Sequence, residues 1–324
     1  MITGYAIEGG RLRLLDDVPV QADAAAWIDL LRPTPDEEQA LEAALGIDVP
    51  SREEMAEIEV SSRLYTEDEA AFMTALILSN VTGDDAVISP VTFVLAGRRL
   101  LTVRHEEPKV FPTFAGRAQK ASIGCTSADA VLVGLLEAIV DRLADVVERC
   151  AHEIDAISHS VFRRAPGKKP TRSRDFQAVL ESLGRRGDLV SNIRESIVTL
   201  DRLFSFLAHV AVHRKSDKDL RTRIKTLSRD ARSLSDHVSF LSQKITFLLD
   251  ATLGMINIEQ NAIIKIFSVA AVVFLPPTLI ASIYGMNFKL MPERDWDFGY
   301  PLAIVLMILS AILPYLFFKR KGWL

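Results

Sequence analysis

The 324-residue chain contains only two cysteines, Cys125 and Cys150. Two thiols in so long a chain make no disulfide framework and agree with a reducing compartment; both read as buried helix residues. Aromatic residues make up 7% of the chain, the net charge is −4, and no basic cluster is interleaved with aromatics, so nucleic acid is not an expected partner. Met1 to Tyr5 lead into polar sequence without an apolar stretch, so no cleavable signal peptide is expected. No nucleophile, base and oxyanion grouping stands out, which argues against an enzyme. Gly167-Lys168-Lys169 resembles the end of a phosphate-binding loop, but Phe162 stands where the first glycine belongs and Pro170 follows. Neither a nucleotide site nor any other cofactor is expected.

The most telling absence is local. Residues 266–284 and 300–318 each run for 19 residues without a charged side chain, close to the roughly 20 apolar residues a helix needs to cross a bilayer core. At 49% hydrophobic and 25% charged, the whole chain has an ordinary soluble composition, because the long polar portion dilutes two short spans. Only the fifteen residues 285–299 connect the spans, so both outer ends of this hairpin lie on one side of the membrane. Lys265 precedes the first span and Lys319, Arg320 and Lys321 follow the second, whereas the connection sets Lys289 and Arg294 against Glu293, Asp295 and Asp297. The positive-inside bias puts the flanks, and with them nearly all of the protein, in the cytoplasm. Neither span holds a carboxylate, which argues against a transporter coupled to protons through intramembrane acids.

Upstream, the first 120 residues read as a mixed α/β domain. Trp27 to Leu31, Ala71 to Leu78, Val91 to Leu95 and Leu100 to Val103 have strand character, with turns at Gly83-Asp84-Asp85 and Gly97-Arg98-Arg99. Thr34, Pro35 and Glu37 spell an N-cap, a proline at the first helical position and a capping-box glutamate, and Ser51-Arg52-Glu53-Glu54 offers a second start. His105-Glu106-Glu107 reads as a loop. From about residue 126 three long helices follow, with an exposed break at Ala165 to Pro170. The first carries a stripe from Leu132 through Leu136, Ile139, Leu143, Val146, Cys150 and Ile154 to Ile157, and the second one from Val190 to Ala211. The third sustains a heptad seam over Leu220, Ile224, Leu227, Ala231, Leu234, Val238, Leu241, Ile245, Leu248, Thr252 and Met255. Nothing breaks it before Pro276, so one helix of about 100 Å is expected from Asp217 to Tyr284. His152, Asp155 and His159 share one face of the first long helix and read as an exposed polar stripe. The divisions follow: 1–125 a cytosolic α/β domain, 126–264 long helices, 265–324 the membrane hairpin.

One hairpin encloses no water path, so a pore requires several copies, most simply in cyclic symmetry. The alternative is a hairpin that merely anchors a cytosolic sensor.

Tyr284-Gly285-Met286-Asn287 closes the first span and is followed by Met291-Pro292-Glu293, by Phe298-Gly299-Tyr300-Pro301, and by the ending Phe317-Phe318-Lys319-Arg320-Lys321-Gly322-Trp323-Leu324. Together with Asn257 to Asn261 and Phe274 to Thr278, these residues resemble the CorA magnesium channels, in particular their proteobacterial branch. The specific likeness covers roughly residues 245–324. It implies a funnel-shaped homopentamer in the inner membrane: an α+β cytosolic domain, a long α-helical stalk, an inner ring of first spans and an outer ring of second spans. It also implies passive conduction of magnesium, with an entrance at Tyr284, Gly285, Met286 and Asn287. Magnesium gives up its water reluctantly and prefers oxygen, so a ring of Asn287 amide oxygens with the Gly285 carbonyl suits the hydrated ion. Asn261, Ile264, Phe267, Leu275, Thr278 and Ser282 are the expected pore-lining residues, Asn261 and Thr278 as polar rings. Regulation in the family comes from magnesium held between cytosolic subunits by acidic side chains, for which Asp230, Asp236, Asp84 and Asp85 are the candidates. The related zinc-transporting ZntB group is the rival within transport, and cobalt and nickel stay open as further cargo.

Overall fold

The computed structural model describes residues 1–324 except 17, 19–20, 80–85, 163–172, 287–295 and 324. The Gly83-Asp84-Asp85 turn and the Ala165 to Pro170 break therefore lie outside the described residues. The chain divides into two units, Met1–Pro170 with Gln177–Leu249, and Thr171–Phe176 with Asp250–Leu324.

The first unit opens with a seven-stranded sheet. Its strands are β1 (Ile2–Glu8), β2 (Arg11–Leu14), β3 (Trp27–Leu31), β4 (Leu64–Glu67), β5 (Ala70–Ser79), β6 (Val87–Ala96) and β7 (Arg99–Arg104), in the order β2-β1-β3-β7-β6-β5-β4. Only β3 and β7 pair in parallel; the other neighbours are antiparallel. Gly97, at φ +55°, takes the left-handed conformation that reverses the chain between β6 and β7. Strand β5 is buried along its whole length because successive side chains enter opposite layers. Ala71, Met73, Ala75 and Ile77 join one core and Ala70 and Phe72 the other.

Short helices cover the second of these faces. Helix α1 (Pro35–Leu45) begins at the predicted capping box, in which Thr34 and Glu37 satisfy each other's backbone N–H, and it drives Leu41 into the core. Helix α2 (Arg52–Ala56) has the same device in Ser51 and Glu54, each cap stabilising its helix by about 1 kcal/mol. The one-turn α3 (Val60–Arg63) leads into β4. The opposite face is covered by α4 (Val110–Lys120) and by the long helices α5 (Ala128–Phe162) and α6 (Ser173–His213).

Between the layers lies a polar network that no local pattern announced. The Arg104 guanidinium grips Asp29 through Nη2 at 2.7 Å and Nε at 3.1 Å, Thr102 donates to the same carboxylate at 2.6 Å, and the Trp27 indole donates to Thr102 at 3.0 Å. Arg104 also lies 4.6 Å from the centre of the Phe111 ring.

Helix α7 (Lys218–Tyr284) runs for 67 residues without interruption, as the heptad seam predicts. Its seam residues from Leu220 to Leu248 are buried, except for half-buried Leu234. Arg223 pairs with Glu137 of α5 at 2.7 Å, Lys244 with Asp155 of α5, and Arg232 with Asp201 of α6 at 3.5 Å. Asp155 of the polar stripe thus serves packing between helices.

Cys150 is buried within α5, and burial pushes its thiol up to about 11. Cys125 is buried too, but it is not a helix residue. Gly124, at φ +79°, ends any helical path there, and α5 starts only after Ser127, whose hydroxyl accepts from the Ala130 N–H at 3.1 Å.

In the second unit, α7 from Asp250 onward is joined by α8 (Gly299–Arg320). Both are long and apolar enough to cross a membrane.

Candidate functional site

In the second unit the large apolar side chains are largely exposed: Phe267 at 71%, Phe274 at 70% and Leu275 at 65% on α7, Tyr300 at 79% and Leu313 at 63% on α8. Such surface is stable only against lipid or further protein.

The six predicted lining residues fall on one side of α7. At 100° per residue, Asn261, Ile264, Phe267, Leu275, Thr278 and Ser282 occupy an arc of about 120°, and all six are exposed. Ser268, Ala271 and Leu279 share the arc. Sequence reading passed over these three, although the same helical arithmetic selects them. The Thr278 hydroxyl donates to the Phe274 carbonyl at 2.7 Å, which seats a polar group inside an apolar helix without an unsatisfied proton. Pro276 and Pro277 lie within the helix without ending it. Lacking N–H groups, they leave the Val272 and Val273 carbonyls without their usual donors.

The helix finishes at the predicted entrance. The Gly285 N–H donates to Ala281 at 3.0 Å and the Met286 N–H to Ile283 at 3.2 Å. A Cβ at Gly285 would meet the Ala281 carbonyl oxygen at 3.1 Å. Gly285 is not among the glycines at positive φ, so what glycine supplies is close approach of backbone to backbone rather than a left-handed turn. Tyr284 and Met286 are exposed at 38% and 47%. Asn287 and Met291-Pro292-Glu293 lie outside the described residues.

The family model described as CorA-like Mg2+ transporter protein matches residues 22–320. The chain belongs to the CorA family. The Magnesium transport protein CorA of Escherichia coli strain K12 is 37% identical over 325 residues, covering 100% of both chains. The complete structure of the CorA magnesium transporter from Methanocaldococcus jannaschii shares the fold with a TM-score of 0.78 at 19% identity, over 100% of this chain and 99% of that one. The ZntB cytoplasmic domain from Vibrio parahaemolyticus is a more distant fold neighbour, with a TM-score of 0.54 at 10% identity over 79% of this chain. CorA proteins are described as transporters, and the chain is not an enzyme.

Of the regulatory candidates, Asp230 and Asp236 are exposed on α7 in the first unit, and Asp84 and Asp85 lie outside the described residues. Asp230 lies within electrostatic reach of an acid that sequence reading missed. Burial pushes the Asp141 carboxyl on α5 up, and Glu137, Asp145 and Asp230 push it further, against the opposing pull of Arg117. Glu137, Asp141 and Asp145 recur every four residues along one face of α5, a visible pattern, but only the packing of α7 brings Asp230 to it. Among the described residues, no three His, Cys, Asp or Glu side chains group closely enough to hold a metal ion.

Proposed function

We propose that this CorA-family chain assembles as a homopentamer in the inner membrane and conducts magnesium passively into the cytoplasm, with both termini on the cytoplasmic side. Residues 1–125 form the cytosolic α/β domain, 126–264 the long helices and 265–324 the membrane hairpin. Its partners are copies of itself, the bilayer and divalent cations. The observation that carries the reading is α7, whose uncharged run 266–284 presents Phe267, Leu275, Thr278 and Ser282 on one arc, with Asn261 and Ile264 on the same arc just ahead of Lys265, and which ends at Tyr284, directly before Gly285-Met286-Asn287.

A ring of Asn287 amides offers neutral acceptors to the water shell of magnesium, while Met286 packs, since a thioether is a poor ligand for a hard cation. The apolar part of the arc gates by dewetting. The driving force is the membrane potential, about 4.6 kcal/mol per 100 mV for two charges, so no fuel is needed. Cytosolic magnesium closes the channel through Asp230 and Asp236, with Asp84 and Asp85; Asp141 joins this set.

Proteoliposomes held at a negative-inside potential test the reading with magnesium, cobalt, nickel and zinc supplied separately. Magnesium uptake is expected. Zinc uptake without magnesium uptake would place the chain functionally with ZntB, and no flux of any ion would leave a membrane-anchored sensor.

A further inference from the structure

The end of α8 is more highly constructed than a charged tail. Gly322, at φ +70°, turns the chain in the left-handed conformation. The Trp323 N–H donates to the Phe318 carbonyl at 3.1 Å and the Gly322 N–H to the Lys319 carbonyl at 3.2 Å. This pair of bonds is the Schellman closure of a helix, and its usual companion, an apolar contact across the turn, is present as Phe318 and Trp323 rings 5.2 Å apart. The turn delivers Trp323 to α7, where the Lys265 ammonium lies 5.9 Å from its ring centre. Lys321 lies 5.2 Å from the Phe317 ring.

Lys265 immediately precedes the uncharged run of α7 and Lys319 immediately follows that of α8, so both mark the same boundary of the apolar surface. Trp323 remains 41% exposed. Among the described residues, no carboxylate forms an ion pair with Lys265, Lys319, Arg320 or Lys321. Cations at the start of one membrane-length helix and the end of another, with Lys265 over the Trp323 indole, suit a phosphodiester at the bilayer boundary.

We propose that Lys265, Lys321 and the Gly322–Trp323 cap form a headgroup site for an anionic phospholipid of the cytoplasmic leaflet, whose phosphate bridges the beginning of the first span and the end of the second. The proposal rests on the membrane reading of the hairpin. Acyl chains would follow the exposed side chains of α8 around Leu313 and Phe317.

Native mass spectrometry of the full-length protein, titrated with phosphatidylglycerol, phosphatidylcholine or inorganic phosphate, tests it. Retention of phosphatidylglycerol in preference to phosphatidylcholine is expected, undisturbed by millimolar phosphate. Lys265→Gln should weaken that preference by about fivefold. Gly322→Ala keeps every cation and, with open space around its Cβ, strains only the turn; it should weaken the preference comparably, and Gly322→Asn should restore it. Full preference in Gly322→Ala or in Lys265→Gln would mean a diffuse field of charge without a built site, and competition by free phosphate would mean a simple anion site. Either result overturns the proposal. Loss of lipid preference with magnesium flux intact sinks this site alone, whereas intact preference without flux sinks only the channel reading.

Discussion

Removing the Asn287 amide takes away the acceptors proposed to hold hydrated magnesium. Asn287→Ala is therefore expected to abolish magnesium uptake in proteoliposomes and to leave the size of the assembly unchanged; normal uptake by a correctly inserted variant would remove Asn287 from the entrance. Arg104 is the opposite kind of residue, remote from conduction and sealed in the sheet. Arg104→Met leaves the Asp29 carboxylate buried beside Thr102 without its partner, a loss of about 3–5 kcal/mol that thermal unfolding of the purified protein would register. Asn287 was proposed from the sequence alone, because its motif sits at the end of an uncharged run. Arg104 was not, because its partner is 75 positions away and only the parallel β3–β7 pairing brings them together. Cys125 was misread for a similar reason, since a buried loop residue and a buried helix residue look alike in a run of small and apolar side chains.

Elements whose signals are periodic or stereochemical could be read directly. The two capping boxes depend on residues three apart, and the α7 seam on a regular alternation of threes and fours, so neither needs tertiary context. Strands β1, β2 and β4 escaped: β2 and β4 are four-residue edges with one buried residue or none, which have little apolar alternation to show, and the buried residues of β1, Gly4, Tyr5 and Ala6, are consecutive rather than alternating. The contact between α5 and α7 yields a prediction that neither helix contains alone. The Asp141 carboxyl is raised above its ordinary range, so the native state holds its proton longer than the unfolded chain does. Its contribution is intact below the unfolded carboxylate value, about pH 4, and is lost as pH rises through the folded value. Asp141→Asn removes that loss. The melting temperature of the variant relative to the wild type should rise between about pH 4 and pH 7 in a chelator, and the gain should shrink in millimolar magnesium. A gain unaffected by magnesium would make Asp141 a merely repulsive surface acid; no gain at all would remove Glu137, Asp145 and Asp230 as its effective neighbours.

At the scale of the molecule, the proposed pentamer has a definite mass. Five copies of 35.9 kDa give about 180 kDa for a closed ring, and native mass measurement in detergent should find it; a monomer or dimer would leave no pore for the hairpin to line. The order of the strands bears on how each copy is made. On the ribosome, β3 emerges about 70 residues ahead of β7, roughly 4–14 s at ordinary synthesis rates. During that interval Ile28 and Leu30 have no second neighbour strand, and Asp29 remains ionised and hydrated in the middle of the strand. A charge there opposes premature burial, holding the nascent β1–β2–β3 sheet open until Arg104 arrives to neutralise it. The ion pair that locks the finished sheet thus also withholds closure until the last strand has been synthesised.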